Sequence, residues 1–363
     1  MATITEPAPG PAGPAAGTTA APGRRPLRVP GQGILLANVA LVLVGLLVLD
    51  VQIFSRASLS TLTPTIGVMI LMALGQAFII GTGGIDLSIP STTTLVGAIV
   101  LKQANGDNGA LLGAVAMALL VCLAIGLTNG LLVEVTRLDA LVVTLATGQL
   151  IAGITRIYRG PVLSISTVPS DLSEFARSSV GQISIILILA VVVAGLIALW
   201  LKFHTSGRRL AASSVARPAA ENSGLAAARQ RITAWMVGTL IVGVGAVLLA
   251  GRIATPDLTL GQPYLLTPIV AVVLGGAALS GGRVKPAATL LGALFLVVLE
   301  HILRVRGYSS GVSLAFQGLV LGVGLTLVVA SRNLRWSVVS ARRGGNANDR
   351  STPDPVVNRE NQE

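Results

Sequence analysis

The stretch "ISIILILAVVVAGLIALWL", Ile183 to Leu201, carries no charged residue. Coiled as an α-helix at 1.5 Å per residue, it matches the ~30 Å hydrocarbon core of a bilayer, which needs about 20 apolar residues. "ILLANVALVLVGLLVLDVQIF", Ile34 to Phe54, meets the same length. Working outward, apolar runs fall at about 33–54, 61–80, 88–101, 110–133, 139–156, 181–201, 231–250, 265–279, 286–303 and 313–331, the third and eighth being short. The pattern predicts an all-α, polytopic transmembrane helical bundle of about ten spans.

Composition agrees. Hydrophobic residues make up 52%, charged residues 11%, and mean hydropathy is +0.79, against roughly 25% charged residues in soluble domains. There is too little polar surface here to cover a water-soluble core of this size. The one cysteine, Cys122, lies inside an apolar run, excludes an internal disulfide and reads as a small core residue. Residues 1–30 are rich in Pro, Ala, Gly and Thr, and residues 336–363 are polar. Both are expected to be disordered tails flanking a membrane domain at 31–335. Gly33 to Phe54 is long for a cleavable leader and nine further runs follow it, so it is expected to be a permanent span.

Alternating the loops across the membrane puts 18 of the 26 Lys and Arg on the amino-terminal side. Both tails and the basic loop 202–230 are therefore predicted to be cytoplasmic. Trp200, Trp235 and Trp336 fall at predicted inner ends and Tyr158, Tyr264 and Tyr308 at predicted outer ends, where amphipathic rings gather. The net charge of +11 collects on one membrane face without any nucleic-acid-binding motif. Orientation and contact with anionic membrane lipid explain it better than nucleic acid.

Chemistry has to come from the few polar residues left. A phosphate-binding loop ending in Gly-Lys-Ser/Thr is absent; the nearest string, Gly281-Gly282-Arg283-Val284-Lys285-Pro286, has the wrong spacing. No metal-ligand cluster is expected, since His204 and His301 are the only histidines and stand far apart in the chain. The chain therefore hydrolyses no ATP of its own and is predicted to hold no cofactor. Of the acidic residues near segment ends, Asp50, Glu134, Asp139 and Glu300 read as interfacial charges beside Arg56, Arg137 or Arg304. Asp86 stands apart in "GTGGIDLSIPSTTTL", Gly81 to Leu95, where Gly and Pro interrupt the helix pattern beside a hydroxyl cluster. Irregular backbone at membrane depth survives only against protein or a watery cavity. The string is thus a candidate for the translocation path, or an ordinary cytoplasmic turn capped by Asp86. A Gly-Gly-x-x-Leu-Ser order recurs in "VLGGAALSGGRVKPAATLLGAL", Val273 to Leu294, hinting at an internal repeat. In the basic loop, Pro218 can open and Gly224 close a short helix over Pro218 to Ser223, with Glu221 suited to its amino end. A plain solvated loop is the alternative.

Together these strings resemble the permease subunits of bacterial ABC importers for ribose, xylose and related monosaccharides. The resemblance is carried by "GGIDLS" at Gly83 to Ser88, "GLTNGLLV" at Gly126 to Val133 and "LVVTLATGQLIAGI" at Leu141 to Ile154. In the second half it is carried by "SGRRLAASSVARPAAENSGL", "LLTPIVAVVLGGAALSGGR" and "LGALFLVVLEHIL". The sequence departs from the family pattern at Ser214-Val215-Ala216, Pro263-Tyr264-Leu265-Leu266 and Glu300-His301, which puts the identity of the sugar in doubt.

The resemblance implies a bacterial inner-membrane protein. Its partners would be a second permease chain, identical or not, a cytoplasmic ATPase subunit that uses the ATP, and an external solute-binding protein. In that scheme Arg217, Pro218, Glu221, Asn222 and Gly224 belong to the coupling helix that docks into the ATPase. Arg56, Arg159, Asp171, Glu174, Arg304 and Arg306 are outer charges available to the binding protein. Gly83, Gly84, Asp86, Ser88, Thr92, Asn129, Thr144, Thr147, Gln149, Gly275 and Gly276 are the candidates for the pathway, each with a helix-helix hydrogen bond or close packing as its alternative role. Gly126/Gly130 and Gly318/Gly322 have spacing that suits close helix packing inside the chain or at a dimer interface. Permeases for nucleosides, branched-chain amino acids or a furanose-like signal stay open as alternatives. So, further off, does an ion-coupled transporter or a channel.

Overall fold

Helix boundaries follow from local chemistry. The computed structural model describes residues 32–49, 55–160, 166–309 and 311–320, with a few positions up to 326. Both expected tails, Trp336 and Asp50 lie outside the described residues. α1 is Gln32–Leu49. α2, Arg56–Gly81, starts where the Ser55 side chain accepts the Ser58 amide at 3.2 Å, satisfying one of the amides left free at a helix start. α3, Ile89–Ala104, opens with Pro90 in its first turn and closes at left-handed Asn105. A 3-10 turn at Asn108–Ala110 runs into α4, Leu111–Thr136. α5, Ala140–Arg159, is capped by Asp139, whose carboxylate accepts the Leu141 amide at 2.9 Å. A short amphipathic α6, Ser170–Arg177, and a hairpin of β1, Ser179–Val180, and β2, Ile183–Ser184, lead into α7, Ile185–Phe203. Then come α8, Thr205–Val215, α9, Arg217–Asn222, and α10, Ala227–Ile253. α11, Thr267–Leu274, α12, Pro286–Val305, and α13, Gly311–Val320, complete the order.

The protein is an all-α membrane protein apart from that small hairpin. Among the described residues, six helices are long and apolar enough to cross a bilayer: α2, α4 with its leading turn, α5, α7, α10 and α12. α1, α13 and the stretch Gln262–Leu274 are shorter apolar helices. The run expected at 265–279 is helical only to Leu274. Gly276 then takes φ +77° and the chain stays non-helical through Lys285.

α2 and α10 form the buried axis of the bundle, while α4, α5 and α7 turn much of their apolar surface outward, as helices in lipid do. The axis depends on close backbone approach. A Cβ on Gly75 would lie 2.5 Å from the Gly238 carbonyl oxygen, and one on Gly238 would lie 2.7 Å from that of Gly75. Gly126 and Gly130 of α4 press likewise on α10 at Met236 and Trp235, so their spacing serves internal packing. Gly318 and Gly322 stand in open space, with nothing within 4 Å of where a Cβ would be. Trp235 is fully buried and Tyr264 nearly so. These two rings therefore belong to the core, and their expected interfacial placement is corrected. For Trp235 the reason is that Gly84 and Gly130, from segments distant in sequence, make room for its ring.

Contacts sort the helix ends into two groups. At one end the Gly282 amide donates to the Gly81 carbonyl (2.9 Å) and Arg231 to the Thr82 carbonyl (2.9 Å). At the other, Lys102 donates to the Tyr158 carbonyl (2.6 Å), Asn108 to the Asp171 carboxylate (2.6 Å) and Arg252 to the Ser60 carbonyl (3.0 Å). The two Gly-rich strings that resemble one another thus meet at one end of the bundle.

Gly238→Val should abolish the monodisperse peak of detergent-purified protein in size-exclusion chromatography or lower its melting temperature by many degrees, because the Gly75 backbone and the Ile79 side chain block the new side chain. Gly195→Ala, with open space around it, should leave the melting temperature unchanged or raise it, since Ala favours a helix over Gly by about 1 kcal/mol.

Candidate functional site

At the end where the Gly-rich strings meet, residues 82–88 leave the helix and are held by a buried polar network. One oxygen of Asp86 accepts the Ser88 amide (2.7 Å) and hydroxyl (2.6 Å), and Asn129 of α4 donates its amide to the Ser88 hydroxyl (3.1 Å). Thr144 of α5 accepts the Leu87 amide (3.0 Å) and donates to the Ile85 or Ala140 carbonyl (3.1 and 2.8 Å). Asp86, Ser88, Asn129 and Thr144 are each at most 1% exposed. Four residues picked from separate motifs therefore act as one clamp that fixes the turn to α4 and α5. Burial pushes the Asp86 carboxyl up to about 6, against the Ser88 hydrogen bonds that hold it down.

The remaining candidates divide. Thr92 is buried in α3, Thr147 is half-buried and donates to the Thr144 carbonyl at 3.3 Å, and Gln149 is exposed. Gly83 takes φ +82°, and Gly84 faces Trp235, whose ring would stand 2.9 Å from a Cβ. Gly275 packs on the Ala288 backbone, and Gly276 borders a cavity of about 170 Å³ between the two Gly-rich strings. Gln76 is wholly buried in α2, and its amide makes no hydrogen bond to the clamp.

The short helix in the basic loop is present as α9, with Pro218 in its first turn and Gly224 at φ +76° just beyond it. Glu221 is corrected: it sits in the last turn of this six-residue helix, where it pairs with Arg217 at 2.8 Å instead of serving the amino end. Asn222 is the last residue of α9. Arg217 also reaches Glu134 at the end of α4 (2.5 Å). Glu134 in turn pairs with Arg231 of α10 (3.3 Å), whose other guanidinium nitrogen holds the Thr82 carbonyl. A continuous polar chain thus runs from α9 through Glu134 and Arg231 to the start of the clamped turn. Sequence reasoning read Glu134 as a plain interfacial charge; its partners lie 83 and 97 residues away along the chain.

A second feature faces the side of the bundle. A groove of about 550 Å³ is lined by Ser91 and Thr94 of α3, Gln149 and Arg156 of α5, Gln262 and Thr267 near α11, and Gln317 of α13, among apolar side chains. No carboxylate among the described residues lines it. Gln149 is the one polar pathway candidate from the sequence that reaches it. Ser91, Thr94, Gln262 and Gln317 were missed, because four distant segments must meet before they share a wall.

The raised Asp86 carboxyl binds its proton more tightly in the folded than in the unfolded chain. Its stabilising contribution is therefore present below the ordinary value of 3.8 and lost as pH rises through about 6. Asp86→Asn should raise the melting temperature in detergent at pH 7.5, and the gap from wild type should shrink as pH falls through about 6 and close only below 3.8.

The branched-chain amino acid transport system/permease component family matches residues 58–329. The ribose import permease protein RbsC of Escherichia coli strain K12 is 31% identical over 78% of this chain and 88% of its own length. RbsC of Bacillus subtilis strain 168 is 30% identical over 71% and 80%. The autoinducer 2 import system permease protein LsrC of Yersinia pseudotuberculosis (serotype O:3) is 28% identical over 80% and 82%. No solved structure matches. With its spanning helices, its clamped Gly-rich turn and three quarters of its length matched, the chain belongs to the branched-chain amino acid transport system/permease component family, as a multi-pass transport subunit and not an ATPase.

Proposed function

We propose that this chain forms the translocation pathway of an ATP-driven importer for a monosaccharide, in the bacterial inner membrane. The observation that carries the solute class is the lateral groove: amides, hydroxyls and one guanidinium, Arg156, with no carboxylate among the described residues, suit a polyhydroxylated solute and disfavour a cation. The ribose import permeases among its relatives support the same class. The autoinducer relative favours a furanose-like signal as the second reading. A second permease chain would cover the groove and the exposed apolar side chains of α5 beside it, Leu141 and Leu145. An external binding protein would deliver the solute.

The drive would enter through α9. A partner ATPase that moves this helix would pull on Glu134 and, through Arg231, on the turn at residues 82–88. In this topology α1, α3, the stretch Gln262–Leu274 and α13 join the six long helices to make ten spans, and both termini are cytoplasmic. The described helix ends carry similar numbers of Lys and Arg, so the orientation leans on the charges of the tails and of the α8–α9 segment.

The test is co-expression of the full chain with a candidate ATPase and binding protein from the same genome, followed by purification and reconstitution into liposomes. The ATPase should co-purify, and replacing residues 217–224 with a Gly/Ser linker should abolish that. Uptake of labelled ribose should need ATP and fall at least tenfold in a Gln149→Leu/Gln262→Leu variant that still assembles. ATP-independent uptake, or full uptake by that variant, would sink the proposal. Separately, Glu134→Gln should keep the ATPase bound while raising ATP hydrolysed per solute imported severalfold, because α9 loses its tie to the turn. Glu134→Asp, which keeps a carboxylate between Arg217 and Arg231, should retain part of the coupling.

A further inference from the structure

Far from the clamped turn, at the end of the bundle that holds α6 and the hairpin, three arginines share one cavity. Arg56 begins α2, Arg177 ends α6 and Arg252 lies in the last turn of α10; together they line a space of about 440 Å³ that no Asp or Glu among the described residues borders. Two are positioned by backbone: Arg177 donates to the Arg252 carbonyl (3.4 Å) and Arg252 to the Ser60 carbonyl (3.0 Å). None of the ion pairs among the described residues involves these three guanidiniums. Each presents five donors in a planar fork, the geometry that suits phosphate oxygens, and three cations gathered in one pocket with no ion-pair partner among the described residues call for an anion.

The hairpin identifies the carrier of that anion. Ser179 pairs with Ser184 and Val180 with Ile183, so the two serines share one face and the two apolar residues the other. Ser179 and Ser184 line the arginine cavity, while Val180 and Ile183 are 66% and 49% exposed on the opposite side. Phe175 of α6 is also exposed. An element that is cationic and hydroxylic on one side and apolar on the other fits the boundary between headgroups and acyl chains. We propose that the Arg56/Arg177/Arg252 cavity is a binding site for a phosphate group, carried by an anionic phospholipid whose chains follow the apolar face of the hairpin. This site is independent of the solute proposed above.

The test uses the full chain, delipidated in detergent and then placed in nanodiscs of phosphatidylcholine alone or with phosphatidylglycerol. Native mass spectrometry counts retained lipid and thermal melting reads its effect. Phosphatidylglycerol should raise the melting temperature of wild type and remain bound. An Arg177→Gln/Arg252→Gln variant should lose at least fivefold of the retained phosphatidylglycerol, and Arg177→Lys/Arg252→Lys should fall between. Val180→Ser/Ile183→Ser should weaken lipid retention while leaving the arginines in place. Equal retention by wild type and both arginine variants would overturn the site. In a parallel arm, inorganic phosphate is added to delipidated protein in detergent. A stabilisation as large as that of phosphatidylglycerol, lost in the glutamine variant, would overturn the lipid as carrier and assign the cavity to a free anion.

Discussion

The contact on which the rest of this structure depends is the crossing of α2 and α10 at Gly75 and Gly238. In lipid there is little hydrophobic gain in bringing two apolar helices together, so association rests on close van der Waals packing and on buried hydrogen bonds. Two glycines facing each other remove the side chains that would hold the backbones apart. Once the axis is set at that distance, α4 can press Gly126 and Gly130 against α10, and α7 can approach α2 at Gly67. The remaining helices then find their places around these, with their lipid-facing sides free to be generic.

How much of this was readable from the chain follows from the physics of each feature. Long apolar runs announce spanning helices because bilayer thickness sets their length, and α2, α4, α5, α7, α10 and α12 were legible that way. The broken helices at 82–88 and 275–285 were half legible: Gly and Pro marked the break, but not that the eighth run would stop at Leu274. The polar clamp was legible by membership, since Asp86, Ser88, Asn129 and Thr144 each stood out in an apolar setting. That they bond to one another was not, because their pairing depends on helix rotation, which periodicity leaves open in segments that are apolar on every side. Glu134 shows the same limit. Its neighbours in sequence suggested an interfacial charge, while its partners, Arg217 and Arg231, come from across a long loop.

The two polar systems differ in kind. The clamp around Asp86 is buried and local, built from side-chain to side-chain and side-chain to backbone bonds, so it defines a shape. The chain through Arg217, Glu134 and Arg231 is partly exposed and built from long side chains. Its links are weak one by one, as surface ion pairs are, yet they connect three helices and a turn. A rigid seat beside a compliant tie is an arrangement that can take up a push without losing its register.

The hydrogen bond from the Gly282 amide to the Gly81 carbonyl joins the two turns that the resembling halves of the chain contribute. Each turn alone is a loop with little holding it in place. Joined, they are geared: a displacement of one must be shared by the other or break the bond between them. Movement at either break is thus felt first at the other, and the seam between the two broken helices, not either helix alone, is the unit that shifts.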